Sequence, residues 1–390
     1  MPKYLCHQCK RVYEEADAGK CPHCGAPVDD RIEFTNSDEF LKPETPGIIA
    51  EREASGLEGL VGGLAAVIIN TEVNRQKAAA AELVRYTGYR FDAAFEGENF
   101  RSCVLKCPGS ADFLIRSRSA AENPFTECNR GPKSNHLPNT RLETFVFECS
   151  DIEAYHRIQK AQGTKFLSTE ILRTENYSFL QTVSSPYTGN SVGVIQWHGE
   201  PGRFQDVSDR SLGWDLRKPP YPYLQDVGRL DHCATRIRAR DRDAAIVEFM
   251  RLTNYHFDFA IYVKSQNSIT NVSRLSQGEY AMVFTSGIAP YVSEEESGPT
   301  EKFIHNYNTR VHHMAFATEK IEQAFDELSR DGMDYLLELV GSEEEGLKQT
   351  FTVASPNTLL VNEYIHRYGD FDGFFTRSNV TLLTEATQKQ

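Results

Sequence analysis

The stretch RVHHMAFATEKIEQAF, which begins at Arg310, is similar to an earlier stretch of the same chain, RLETFVFECSDIEAY, which begins at Arg141. The two starts lie 169 residues apart. A second pair, YTGYRFDAAF from Tyr86 and LTNYHFDFAI from Leu252, is offset by 166 residues, and a third, TVSSPYTG and TVASPNTL from positions 182 and 352, by 170. Because the offset barely drifts over three matches, the chain is predicted to contain two homologous modules in tandem.

Each module is predicted to mix strands and helices in one order, which places the protein in the α+β class. In the second module, DHCATRIRA and VHHMAFAT alternate as strands do, and LLVNEYIH has the composition of a final strand. RDAAIVEFMRLT has helical periodicity after Asp241, and EKIEQAFDELSRDG is an amphipathic helix that ends at Gly332. We therefore assign the first module to residues 56–205, a connection to 206–228 and the second module to 229–390.

The amino-acid composition indicates which kinds of partner the protein is expected to bind. The 390 residues include 42 basic and 55 acidic side chains, a net charge of -13, which disfavours nucleic acid and anionic membranes as partners. The start MPKYLCHQCK lacks the apolar segment of an export signal, and no run approaches the length of a spanning helix. These features predict a cytoplasmic protein that works on small molecules and leave a homo-oligomer open.

Four of the nine cysteines form two CxxC pairs within residues 1–28: Cys6 and Cys9, then Cys21 and Cys24. Two such turns facing each other complete a tetrahedral thiolate site, which suits zinc or a single iron. The site resembles both short zinc ribbons and rubredoxin-like knuckles. We favour structural zinc, because the glycine that rubredoxin-type knuckles carry after each pair is present only after the second. Residues 29–55 are predicted to be a polar linker.

Three residues with metal-binding side chains occupy predicted strands of the second module: His232, His313 and Glu363. When the repeats are superposed, His232 falls on Ala66 and His313 on Thr144, while the counterpart of Glu363 falls in a stretch without a carboxylate. A single histidine in a strand is more often a core residue than a metal ligand. Here, three residues that could bind a metal all lack an equivalent in the first module, which favours a metal site. Two histidines and one carboxylate leave positions open on one face of the metal, as in non-haem iron(II) oxygenases. Zinc in the same ligands would suggest hydrolysis.

His312 precedes His313, so the two must be distinguished. Because side chains alternate along a strand, the two rings should point to opposite faces unless a bulge intervenes. We choose His313 as the ligand because Ala315 and Ala317, which follow it on the same face, make that face the less bulky one.

These segments carry a family resemblance. The two-module organisation is similar to the vicinal oxygen chelate superfamily, and LDHCAT, RVHHMAFAT and LLVNEYIHRYG in the second module resemble the 4-hydroxyphenylpyruvate dioxygenase family. The resemblance implies paired βαβββ repeats that form open barrels, an iron(II) cofactor and a closing C-terminal helix. It implies iron ligands at His232, His313 and Glu363. It also implies substrate contacts at Gln349, Phe351, Phe375, His312 and Asn379, with the two phenylalanines sandwiching an aromatic ring.

The resemblance implies a dioxygenase that uses O2 to decarboxylate an aryl 2-oxo acid oxidatively and to hydroxylate it. Departures keep two alternatives open. The spacing of 50 residues from His313 to Glu363 is shorter than in that family and closer to extradiol catechol dioxygenases, in which His312 or His256 could act as an acid or base. The loss of usual substrate contacts would also suit a non-catalytic ligand-binding protein with the same fold.

Overall fold

The computed structural model describes residues 4–6, 12–13, 20–25, 31–33, 38–369, 371 and 374–389. At the N-terminus, strands β1 (Tyr4–Cys6), β2 (Val12–Tyr13) and β3 (Arg31–Glu33) form a small antiparallel sheet in the order β2-β1-β3. Cys21 starts a turn that Gly25 closes by donating its N–H to the Cys21 carbonyl at 2.9 Å. Cys9 and the side chain of Cys6 lie outside the described residues, so the four-cysteine site stays a prediction.

Helix α1 (Asp38–Ser55) lies inside the stretch predicted to be a linker. Its two prolines each remove a backbone donor, but a buried side chain ties the helix to the second module. Arg52, 2% exposed, donates to three backbone carbonyl oxygens there. They belong to Met250 (3.0 Å), Thr253 (3.0 Å) and Tyr255 (2.7 Å). The polar composition of residues 29–55 suggested a linker. The helix was not predicted, because the hydrogen bonds of Arg52 to distant residues leave no pattern in the local sequence.

The first module forms a nine-stranded sheet, in the order β12-β5-β6-β7-β4-β8-β11-β10-β9. Its elements are β4 (Val61–Asn70), α2 (Gln76–Tyr86), β5 (Arg90–Glu96), β6 (Phe100–Lys106), β7 (Asp112–Arg118), α3 (Thr126–Asn129), β8 (Arg141–Cys149), α4 (Ile152–Ala161), β9 (Leu172–Arg173), β10 (Tyr177–Gln181), β11 (Ser191–Trp197) and β12 (Arg210–Ser211).

The second module repeats the arrangement with eight strands, in the order β14-β15-β16-β13-β17-β20-β19-β18. Its elements are β13 (Val227–Ile237), α5 (Arg242–Leu252), β14 (His256–Val263), β15 (Ser268–Arg274), β16 (Ala281–Gly287), α6 (Pro299–Tyr307), β17 (Arg310–Thr318), α7 (Ile321–Arg330), β18 (Val340–Ser342), β19 (Leu347–Phe351), β20 (Val361–Arg367) and α8 (Arg377–Ala386). Gly332, at φ 91°, follows the end of α7 as predicted. The predicted α+β fold of two related modules is confirmed.

Two buried arginines join the modules in a reciprocal way. Arg141, at the start of β8, donates to the carbonyl of Thr309 at 2.7 Å, and Arg310, at the start of β17, donates to the carbonyl of Thr140 at 2.7 Å. These arginines are the first residues of the two repeated stretches. Each arginine donates to a backbone carbonyl of the other module. The two modules therefore contact each other through equivalent residues. Among the described residues, no helix is both long and apolar enough to cross a membrane.

Candidate metal centre

Three neighbouring strands carry the predicted metal ligands to one point. β13 carries His232, β17 carries His313 and β20 carries Glu363. Ala315 of β17 lies opposite both His232 and Glu363 in the strand register. Glu363 Oε2 is 3.1 Å from His232 Nε2 and 3.3 Å from His313 Nε2. One donor atom from each of the three side chains lies within 4.8 Å of the others, so all three could bind one metal ion.

The cluster is withdrawn from water. The exposed fraction of the side chain is 0% for His232, 1% for Glu363 and 12% for His313. Burial raises the pKa of Glu363 and, together with the neighbouring histidine rings, lowers the pKa of His313. Burial also acts to lower the pKa of His232, but the Glu363 and Asp231 carboxylates outweigh it and raise that pKa to about 9. The cluster therefore favours a positive charge at its centre.

Unpaired polar atoms show that the residues fit a metal. Oε1 of Glu363 is buried and has no hydrogen-bond partner among the described residues, and Nε2 of His232, although 3.1 Å from Glu363 Oε2, does not meet the geometry of a hydrogen bond. Such atoms are costly to bury, and a coordinated ion would satisfy both. Two imidazoles and one carboxylate suit a divalent transition metal and leave its remaining positions open to substrate. His232, His313 and Glu363 are the residues that would hold iron(II).

A carboxylate supports His232 from behind the cluster. His232 Nδ1 lies 2.7 Å from Asp231 Oδ1, and Arg367 donates to both oxygens of that carboxylate at 2.5 and 3.0 Å. Burial would raise the pKa of Asp231, but Arg367 and His232 hold it well below its usual range. A metal-binding histidine commonly donates its second N–H to a carboxylate, which fixes the ring and leaves the other nitrogen for the metal.

The sequence analysis missed both Asp231 and Arg367. Between Leu230 and His232, β13 has one residue more than its partner β17, and this bulge turns Asp231 to the side of His232. Strict alternation places Asp231 on the opposite face. The only available signal was the position of Asp231 next to a candidate ligand.

A second bulge sets the orientation of His312. Ala234 pairs with His313 and Thr235 with Val311, so His312 is the extra residue of β17. Both histidines line the same pocket, and their Nδ1 atoms lie 2.8 Å apart, which means that one ring donates to the other. Opposite faces were expected unless a bulge intervened, and the structure has that bulge, so alternation does not separate the two rings. Nε2 of His313 remains directed at Glu363, which agrees with its choice as the ligand.

An aromatic-lined pocket opens onto the cluster. Phe351 and Phe375 both line it, as the resemblance implied. The ring of Phe351 lies 4.7 Å from that of His313, and the ring of Phe375 lies 5.1 Å from that of His232. Helix α8 supplies further apolar side chains to the wall. The pocket therefore presents aromatic rings beside the candidate metal site.

The other predicted contacts are placed differently. Gln349 is fully buried on the same face as Phe351 and Glu363, and neither atom of its amide has a hydrogen-bond partner among the described residues. Its amide is thus unpaired, but Gln349 is not among the residues that line the pocket. Asn379 packs against β19, donating to the carbonyl of Leu347 at 3.3 Å, and it does not line the pocket.

Comparison with known proteins adds evidence on the fold. The sequence matches no protein-family model and no curated protein. Among solved structures, a variant of 4-hydroxymandelate synthase from Streptomyces coelicolor is 16% identical, with a TM-score of 0.63, over 85% of this chain and 99% of that one. A fusion of a xylose isomerase-like TIM barrel with 4-hydroxyphenylpyruvate dioxygenase is 13% identical, with a TM-score of 0.60, over 95% of this chain and 60% of that one.

A Mn(II)-bound glyoxalase from Novosphingobium aromaticivorans is 14% identical, with a TM-score of 0.47, over 81% of this chain and 86% of that one. At the identity of the first two structures, the likeness concerns the fold alone. Both share the curled mixed sheets and the paired modules described above. The chain therefore has the two-module vicinal oxygen chelate fold.

Proposed function

We propose that the protein is an iron(II)-dependent dioxygenase that oxidatively decarboxylates an aryl 2-oxo acid and hydroxylates it with O2. The observation that carries the proposal is the buried cluster of His232, His313 and Glu363 at an aromatic-lined pocket. The fold shared with 4-hydroxymandelate synthase and the 4-hydroxyphenylpyruvate dioxygenase fusion adds support by analogy.

Several residues in and around the pocket have separate roles in this reaction. Iron(II), when held by the three ligands, supplies the redox chemistry that couples O2 to an organic substrate. Asp231 keeps the proton of His232 on Nδ1, so that Nε2 faces the site. Phe351 and Phe375 hold the ring of the substrate by offset or edge contacts. The unpaired amide of Gln349 donates to an oxygen of the oxo acid, and α8 excludes water.

The test is an oxygen electrode assay on the full chain loaded anaerobically with iron(II). We expect phenylpyruvate or 4-hydroxyphenylpyruvate to consume O2 and release carbon dioxide in equal amounts, and the His313→Ala variant to do neither. Iron bound at one per chain with no carbon dioxide from any aryl 2-oxo acid would contradict the proposal.

Extradiol cleavage of a catechol is the second candidate, and the position of His312 favours it. This ring lines the pocket beside a ligand, where an acid or base for that reaction would have to lie. O2 uptake with a catechol alone, without a 2-oxo acid, would select this reaction. Tight binding of either compound without O2 uptake would instead select the non-catalytic ligand-binding protein.

For the N-terminal segment, we propose a structural zinc ion held by Cys6, Cys9, Cys21 and Cys24, with iron as the alternative metal. In the described turn, the backbone N–H of His23 donates to Cys21 Sγ at 3.4 Å, which suits a thiolate ligand. Elemental analysis should find one zinc per chain in the wild type. We expect Cys21→Ser to lose it and Cys128→Ser, a control in the first module, to keep it. Visible absorption from an iron–thiolate centre would overturn the zinc assignment.

A further inference from the structure

The second-module pocket has a polar end opposite its metal end. Across the adjacent strands β13, β16 and β15, successive rows of paired residues run along the pocket wall. The row of His232 is followed by an apolar row, in which Ala234 pairs with Val283. The next row pairs Arg236 with Thr285. By the rise of a strand, the Cα atoms of His232 and Arg236 are about 13 Å apart.

Arg236 is buried without a carboxylate partner. The residue is 4% exposed and lines the pocket, and no ion pair joins it to an acidic side chain among the described residues. Its guanidinium lies 4.6 Å from the ring centroid of Phe303 and donates one long hydrogen bond, 3.4 Å, to the carbonyl of Pro299. Most of its five N–H donors therefore have no acceptor among the described residues.

Other buried arginines of this module have closer partners. Arg242 donates to Asn271 and Asp243, and Arg310 donates to a carbonyl at 2.7 Å, although its Nη1 has no hydrogen-bond partner among the described residues. Burying a guanidinium is unfavourable unless an anion or several acceptors compensate. Arg236 has the cation–π contact but not the anion. Burial also lowers its pKa, to about 9, with no acidic group offsetting the effect.

Hydroxyl groups surround this end of the pocket. Thr285 lies beside Arg236 in the register, Thr270 lies beside Thr285, and both line the cavity together with Thr300 of α6. Hydroxyls can donate to an anion, and a guanidinium fork matches the two oxygens of a carboxylate. The apolar row between the two ends matches the body of an aromatic ring.

We propose that Arg236 binds a second anionic group of the substrate, so that the preferred substrate is an aryl 2-oxo acid with a carboxylate at the far end of its ring. This inference rests on the proposed function for the identity of the metal-bound end. The oxo acid lies at the metal, the ring lies against Ala234 and Val283, and the ring carboxylate accepts from Arg236 and the neighbouring threonine hydroxyls.

The experiment measures binding without turnover. Full-length, iron-loaded protein is titrated under argon with 4-carboxyphenylpyruvate and with phenylpyruvate by calorimetry, in the wild type, Arg236→Met and Arg236→Lys. Methionine keeps the apolar stem against Phe303 and removes the charge, while lysine keeps the charge and loses the fork. Melting temperature and iron content are checked in each variant, so that a change in fold is separated from a change in recognition.

We expect the wild type to bind 4-carboxyphenylpyruvate more tightly than phenylpyruvate by about 10- to 100-fold, as for a hydrogen-bonded charge pair. Arg236→Met should abolish that preference by weakening the charged ligand alone, and Arg236→Lys should keep part of it. Equal affinities in the wild type, or an equal loss for both ligands in Arg236→Met, would overturn the proposal and leave Arg236 a structural residue that holds α6.

The two proposals fail in different ways. A charge preference that depends on Arg236, with no O2 consumed by either ligand, would support the anion site and contradict the dioxygenase. Turnover of both compounds at equal kcat/KM in air would contradict the anion site and leave the dioxygenase supported.

Discussion

The two modules share their backbone irregularities but not their chemistry. Both have a bulge on the first strand and another on the central strand, at equivalent positions. In the second module, the bulged positions and their neighbours carry the residues of the candidate metal centre. In the first module, the same positions carry residues that do not form such a centre. The counterparts of Asp231, His232, His312, His313 and Glu363 are Ala65, Ala66, Glu143, Thr144 and Gly193. The fold therefore fixes where side chains meet, and the residue types decide what they do there.

In the first module, the position equivalent to Glu363 is crowded by neighbouring side chains. A Cβ added at Gly193 would lie 3.0 Å from the ring of Phe179 and 3.1 Å from a methyl of Thr144, so no glutamate fits there. Nearby, Arg118 and Glu143 pair through two hydrogen bonds of 2.8 Å. Both oxygens of Glu143 are thus paired, whereas Oε1 of Glu363 has no hydrogen-bond partner among the described residues. This difference makes the second module the expected seat of function.

The largest effect should come from Glu363→Gln, which removes the one charged ligand with little change in shape. Supporting residues of metal sites are worth about 10- to 100-fold in affinity, so loss of a direct ligand should exceed about 100-fold. Iron content after dialysis and O2 uptake measure the change. Thr144→Ala, at the position equivalent to His313, is the matched control and should bind iron as the wild type does. Equal iron in the wild type and Glu363→Gln would remove Glu363 from the site.

A smaller effect is expected for Asp231→Asn, which weakens the hold on His232 without touching a ligand. Iron affinity should fall about 10- to 100-fold, because the asparagine can present its amide instead of an acceptor to Nδ1. The measurement is competition for iron with a chelator. Asp226→Asn, in an exterior pair with Lys320, should have no effect. If Asp231→Asn bound iron as tightly as the wild type, Asp231 would not support the metal-binding function of His232.

Gly193→Ala in the first module should have the smallest effect on iron content. It should, however, clearly lower the free energy of unfolding. The added methyl would overpack three side-chain carbons at 3.0 to 3.2 Å, and overpacking costs about 1–3 kcal/mol of unfolding free energy. Gly62→Ala is the control, because its nearest contact is an ordinary 3.5 Å. Urea unfolding compares the two, and iron content should stay at the wild-type level. Iron loss in Gly193→Ala would contradict the separation of the modules.

The repeat and the grouping of His232, His313 and Glu363 could be predicted from the sequence, because equivalent positions of the two modules can be compared at a nearly constant offset. The orientation of His312 and the roles of Asp231 and Arg367 could not. The orientations of His312 and Asp231 both result from bulges, which depend on pairing with a distant strand and leave no local pattern. Arg367 reaches Asp231 across 136 positions of sequence. Arg236 was likewise invisible, because what distinguishes it is the absence of an acidic neighbour among the described residues in three dimensions.

Metal analysis of three proteins purified without oxygen tests the central claim most directly: the wild type, His313→Ala and Thr144→Ala. The account predicts one iron per chain in the wild type and in Thr144→Ala, and none in His313→Ala. Iron absent from all three, or present equally in all three, would contradict the assignment of a catalytic iron site to the second module.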